Sequence, residues 1–88
     1  MRLAPSAQVA AISELLRRAA RRVDPTADRL QDEAWLRFLD QGSGAAEFSE
    51  GAGRLLLDGP YRADVSAGEA AALRLLARRR YLYWMRVR

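Results

Sequence analysis

The serines Ser6, Ser13, Ser43, Ser49 and Ser66 are the first places to look for a nucleophile in this sequence, and nothing beside them could activate one. A serine hydroxyl attacks only when a neighbouring base takes its proton. The chain holds no histidine and no lysine, so neither a serine–histidine pair nor a serine–lysine dyad can be assembled. It has no cysteine, which removes thiolate attack, disulfides and thiolate metal ligands together. Asp32-Glu33 is an adjacent carboxylate pair. Neighbours on a helix point in different directions, and acids at a helix start are accounted for by the positive end of its dipole. No calcium-loop pattern occurs, and Gly51-Ala52-Gly53 lacks the Gly-Lys-Ser/Thr that would follow in a phosphate-binding loop. These residues predict a protein that is not an enzyme, with no catalytic residue, no cofactor and no metal.

What remains is arginine. All fifteen basic residues are Arg, against eleven acids. A GC-rich genome explains this more readily than selection for the guanidinium's bidentate chemistry. Residues 1–23 carry five Arg against Glu14, a net of +4; residues 24–69 carry ten acids against four Arg, a net of −6; residues 70–88 carry six Arg and no acid. Arg17, Arg18, Arg21 and Arg22 cluster near one end, and Arg78, Arg79 and Arg86 near the other, as a candidate interaction surface. The last stretch, Arg78-Arg79-Arg80-Tyr81-Leu82-Tyr83-Trp84-Met85-Arg86-Val87-Arg88, interleaves bases with aromatics. Such a segment can pair phosphates and stack on bases, or sit at a membrane surface. It can equally be a last helix whose aromatics complete the core while its arginines face the negative helix end. Nucleic-acid binding is disfavoured by the acidic middle and by the lack of a helix-turn-helix.

The elements that must position these residues are helical. A helix should begin after Pro5 with Ser6 as N-cap and run to about Val23. Its apolar face is Val9, Ile12, Leu16, Ala19, Ala20 and Val23; Glu14 should support Arg18 one turn on. Asp24-Pro25 ends it. A second helix is predicted from about Asp32 to Gln41, with Trp35, Phe38 and Leu39 inward, Leu30 stapled on Trp35 and Gly42 as the stop. Gly42-Ser43-Gly44 reads as a loop. A third, shorter helix should follow Ser49, carry Leu55-Leu56-Leu57 and end at Gly59-Pro60, with Gly51 and Gly53 allowing a neighbouring helix to approach. Ser66-Ala67-Gly68-Glu69 is a capping box opening the fourth, lined by Leu73, Leu76, Ala77, Tyr81 and Trp84. Arg80 falls within that stripe, so either it snorkels or the packed helix stops near Arg79. No segment alternates as a strand would. The expected fold is all-α, a compact bundle of about four helices in a single domain over 1–88, with its core in 6–80 and 81–88 a basic-aromatic tail or helix extension.

Three segments taken together, Glu33-Ala34-Trp35-Leu36-Arg37-Phe38-Leu39-Asp40, Phe48-Ser49-Glu50-Gly51-Ala52-Gly53-Arg54-Leu55-Leu56-Leu57 and Pro60-Tyr61-Arg62, resemble the cytoplasmic part of a bacterial family known as domain of unknown function 4381. Ile12-Ser13-Glu14-Leu15-Leu16-Arg17-Arg18-Ala19-Ala20 fits the same pattern, which covers roughly 6–80. The resemblance implies a short inner-membrane protein: one spanning helix, a basic juxtamembrane segment, then this domain in the cytoplasm. It implies an accessory role beside a MoxR-type AAA+ ATPase and von Willebrand factor A proteins, and it carries over no catalytic residues. This sequence departs from the pattern in showing no spanning helix, as either an excised cytoplasmic domain or a shortened member would, and the excised domain is the expectation. Its N-terminus also has no apolar run of a secretory signal. The pattern residues Trp35, Phe38, Leu39, Gly51, Gly53, Pro60, Tyr61 and Arg62 read as structural: the first three as core, Gly59-Pro60-Tyr61 as a helix stop with Tyr61 packing back. The expectation is therefore an adaptor domain with a protein partner. A small nucleic-acid-binding protein is the alternative, and self-association through the last helix is a third reading.

Overall fold

Pro5 does not precede the first helix; it opens it. In the computed structural model, which describes residues 4–41 and 45–86, α1 runs Pro5–Val23 with Ala4 as its N-cap and no side-chain cap. Proline suits the first helical position because it has no N–H to leave unpaired and its φ is preset. The Ala4 carbonyl accepts the first helical bond, from the Gln8 N–H at 2.9 Å. Ser6 therefore lies inside the first turn and caps nothing. Val9, Leu16 and Ala20 are buried, with Ile12 and Ala19 packed beside them, while Val23 stays exposed at the end of the expected apolar face. Asp24 breaks the helix in an extended conformation and accepts hydrogen bonds from the Thr26 N–H and hydroxyl, both at 3.0 Å. A 3-10 turn at Ala27–Arg29 then leads to the second helix.

Helix α2 spans Asp32–Asp40, with Asp32 and Glu33 in its first turn as the dipole argument requires. Asp32 itself takes a φ of +52°, a conformation that aspartate tolerates better than most residues. Trp35 and Leu39 are buried as expected, Phe38 is half-buried, and Leu36 joins them. Leu30 packs against this core before the helix begins. The expected stop at Gly42 and the Gly42–Gly44 loop lie outside the described residues.

The third helix is shorter and tighter than its apolar run predicts. Residues 47–49 form a turn, a 3-10 turn at Ala52–Arg54 passes into α3 at Leu55–Asp58, and a second 3-10 turn at Gly59–Tyr61 continues it. The α-helix thus ends at Gly59-Pro60 as expected, with Gly59 as its C-cap, and the chain continues in the tighter 3-10 turn. Ser49 is no cap; its N–H and hydroxyl both go to Asp40. The expected close approach at the glycines is also to a different neighbour. A Cβ on Gly53 would lie 2.4 Å from Phe48 Cα, and one on Gly51 would lie 2.9 Å from the Glu47 carbonyl oxygen, so both back onto the preceding turn. Gly59 is the glycine that lets a helix in, with Val9 of α1 2.9 Å from where its Cβ would be.

Helix α4, Ala67–Arg86, opens on the expected capping box. The Ser66 N–H donates to Glu69 Oε1 at 2.9 Å, and the Glu69 N–H donates to Ser66 Oγ at 3.0 Å. Neither expectation for Arg80 holds. The helix continues through Arg86, Trp84 is buried, and Arg80 is itself buried. Residues 81–86 are therefore a helix extension.

Helices α1 and α4 form the main packing pair, their C-terminal halves against one another, and α2 and α3 close the core around Trp35, Phe48, Leu16, Leu36, Leu39 and Leu73. The fold is all-α, four helices of unequal length without a strand among the described residues. No helix among them is long and apolar enough to cross a membrane.

Candidate interaction surface

The seven arginines singled out in the sequence do not share one face. Arg17 turns inward: it donates to the Leu30 carbonyl at 3.0 Å and lays its guanidinium 4.3 Å from the centroid of the Trp35 ring. That placement ties α1 to the loop before α2 and leaves Arg17 half-buried; a guanidinium over an indole adds a cation–π attraction there. Arg18, Arg21 and Arg22 are exposed, and the last two occupy the final turn of α1, near its negative end. The expected Glu14–Arg18 ion pair does not form.

On α4, Arg78 and Arg86 are exposed, and Arg79 pairs with Glu47 at 3.2 Å. Arg80 runs beneath them. It donates to the Gln41 carbonyl at 2.8 Å and lies 4.9 Å from the Tyr83 ring centroid, while its Nε finds no acceptor among the described residues. Burial pushes its pKa down, partly offset by Tyr83, Asp40 and Glu47. Sequence reasoning also missed Asp40, whose carboxylate accepts from the Phe48 N–H at 2.8 Å and the Ser49 N–H at 3.1 Å. Its signal was available: an acid at the C-terminal end of a helix opposes the dipole and needs a reason to be there.

Where α1 and α4 meet, Leu15, Arg18, Ala19, Arg22, Val23, Tyr81, Trp84 and Met85 line a groove of about 220 Å³. Leu15, Val23 and Met85 are 46%, 43% and 47% exposed there, although α1 and α4 are the main packing pair. Two arginines stand among them, and no acid among the described residues lines the groove.

The pattern residues divide. Trp35, Leu39 and Gly53 are buried, and half-buried Phe38 stacks on Trp35 at a centroid distance of 6.0 Å and meets Trp84 at 5.9 Å with the rings tilted by 44°. Gly51 is exposed beside the turn already described, and Pro60 is half-buried. Tyr61 does not pack back: it is 89% exposed, beside a shallow depression shared with Pro60, Arg18 and Arg21. Arg62 ties the loop before α4 together through Asp64 at 2.9 Å, Glu69 at 3.8 Å and Asp58 at 3.9 Å. The hydrogen bond and charge of Arg62 hold the Asp64 carboxyl below its ordinary range, and Asp64 in turn raises Arg62. A carboxylate depressed by folding contributes stability above its unfolded pKa and loses that contribution as pH falls through the folded value. NMR titration should therefore place the Asp64 midpoint below ordinary aspartates, and Arg62→Ala should return it to them; an ordinary midpoint in the unsubstituted protein would contradict this geometry.

A family model described as Domain of unknown function (DUF4381) matches residues 2–85. No curated protein and no solved structure matches the chain.

Proposed function

The chain belongs to the family described as domain of unknown function 4381, and from that premise we propose that it is a non-enzymatic protein-interaction domain. The reading rests on the α1–α4 groove, where half-exposed Leu15, Val23 and Met85 lie together beside Arg18 and Arg22. Single exposed apolar side chains are ordinary on any protein, whereas contiguous ones rimmed by polar groups are characteristic of contact surfaces. The resemblance supplies the partner class: a MoxR-type AAA+ ATPase or a von Willebrand factor A protein, with the domain acting as the cytoplasmic part of a membrane-anchored accessory protein. The alternative reading, a nucleic-acid-binding protein using the arginine-rich ends, would have to work beside Glu47, which pairs with Arg79, and without Arg80, which is buried.

Charge reversal of Arg18, Arg21 and Arg22 to glutamate should leave the helical circular dichroism intact, since all three are exposed. The cost in stability should be small, roughly 0.3–1 kcal/mol for each acid set at a helix C-terminus. Capture of an AAA+ ATPase or von Willebrand factor A protein from nuclease-treated lysate should be lost. Undiminished capture would remove this face from the interaction.

A further inference from the structure

We propose that the groove between the C-terminal halves of α1 and α4 seats an acidic amphipathic helix of a partner protein. This deepens the protein-interaction reading and rests on it. The floor of the groove is Trp84, buried, with Ala19 and Tyr81 half-buried; Leu15, Val23 and Met85 form the walls. At about 220 Å³ it is smaller than the roughly 300–1,000 Å³ typical of small-molecule sites, and it suits side chains presented by a macromolecule.

Shape and charge choose among macromolecules. The valley between two packed helices is elongated and concave, the form into which a third helix sets its ridge of side chains. A bilayer surface asks for apolar groups that project, and a phosphate backbone has no use for apolar walls. Arg18 and Arg22 stand one helical turn apart on the rim, about 6 Å along the axis, with no acid among the described lining residues. A partner helix with Asp or Glu at i and i+4 beside its apolar face would meet both guanidinium groups. Met85 is the most adaptable wall residue, since its unbranched thioether fits differently shaped neighbours.

The test uses a fluorescein-labelled helical peptide with leucines at i, i+3, i+4 and i+7 and glutamates along both flanks, read by anisotropy. A second peptide carries lysines in place of the glutamates. The glutamate peptide should bind the unsubstituted protein, and the lysine peptide should bind at least about tenfold more weakly. Leu15→Glu and, separately, Val23→Glu should each weaken binding by about tenfold or more with unchanged helicity, as expected for anchors at an interface centre. Arg37→Gln on α2, outside the groove, should leave affinity unchanged. Equal binding of the two peptides, or indifference to both groove variants, would overturn the assignment. So would anionic phosphatidylglycerol vesicles, or a second copy of the chain in sedimentation, engaging the groove with the same sensitivity to Leu15→Glu while the peptide does not bind. If lysate capture survives Leu15→Glu and the peptide fails to bind, the groove assignment falls and the interaction reading stands. If the peptide binds in the groove but lysate yields no AAA+ or von Willebrand factor A protein, the groove stands and that partner class falls.

Discussion

Trp35→Ala should leave a substantial fraction of this protein unfolded at physiological temperature. The indole is 1% exposed, lies nearly parallel to Phe38 at 12° and carries the Arg17 guanidinium on its surface. Truncating a buried tryptophan costs about 3–5 kcal/mol, the lost transfer energy plus the cavity left behind. A chain of 88 residues has roughly 4–13 kcal/mol of stability in total, so the substitution removes about a quarter of it or more. Arg17 loses its ring partner at the same time, which loosens the tie from α1 to Leu30. Trp35→Phe should cost much less. It keeps an aromatic ring against Phe38 and removes an indole N–H that finds no acceptor among the described residues. Urea denaturation followed by circular dichroism measures both; a Trp35→Ala midpoint equal to that of the unsubstituted protein would contradict the core described above.

Asp40→Ala should cost about 2–3 kcal/mol, large for a half-buried polar residue, because bonds to a charged acceptor are worth more than neutral ones. The carboxylate holds the turn after α2 by accepting from the Phe48 N–H, the Ser49 N–H and the Ser49 hydroxyl. Phe48 is fully buried, so its amide is poorly placed to find water instead. Asp40 also offsets the charge of buried Arg80, whose guanidinium binds the adjacent Gln41 carbonyl. Removing the acid therefore strands two amides and weakens the support of a buried cation. Asp40→Asn should lose less than Asp40→Ala, since its amide oxygen can still accept one of the bonds. Equal midpoints for Asp40→Ala and the unsubstituted protein would show that the turn holds without this cap.

The helical elements and the lack of any histidine, lysine or cysteine side chain were legible in residue order and composition, because both are short-range facts. A capping box needs only Ser66 and Glu69 three residues apart, and it formed as expected. The inward faces of α1 and α2 follow from 3.6-residue periodicity, and the absence of histidine, lysine and cysteine is a property of composition alone. The family was legible too, since its pattern lies in the order and spacing of residues around Trp35, Gly51–Gly53 and Pro60–Arg62.

Only the tertiary structure decided what each arginine does. Arg80 and the Gln41 carbonyl are 39 residues apart, and an arginine in an apolar stripe gives no hint of which distant carbonyl will satisfy it. Arg17 looked like its neighbour Arg18, yet one turns onto Trp35 and the other onto the groove. The groove belongs to no segment, because its walls come from opposite ends of the chain and exist only once α1 and α4 pack together. Periodicity reports which face of a helix is apolar. Which apolar positions are then covered depends on the neighbours that arrive, and around Leu15, Val23 and Met85 the fold brings none among the described residues to cover them fully.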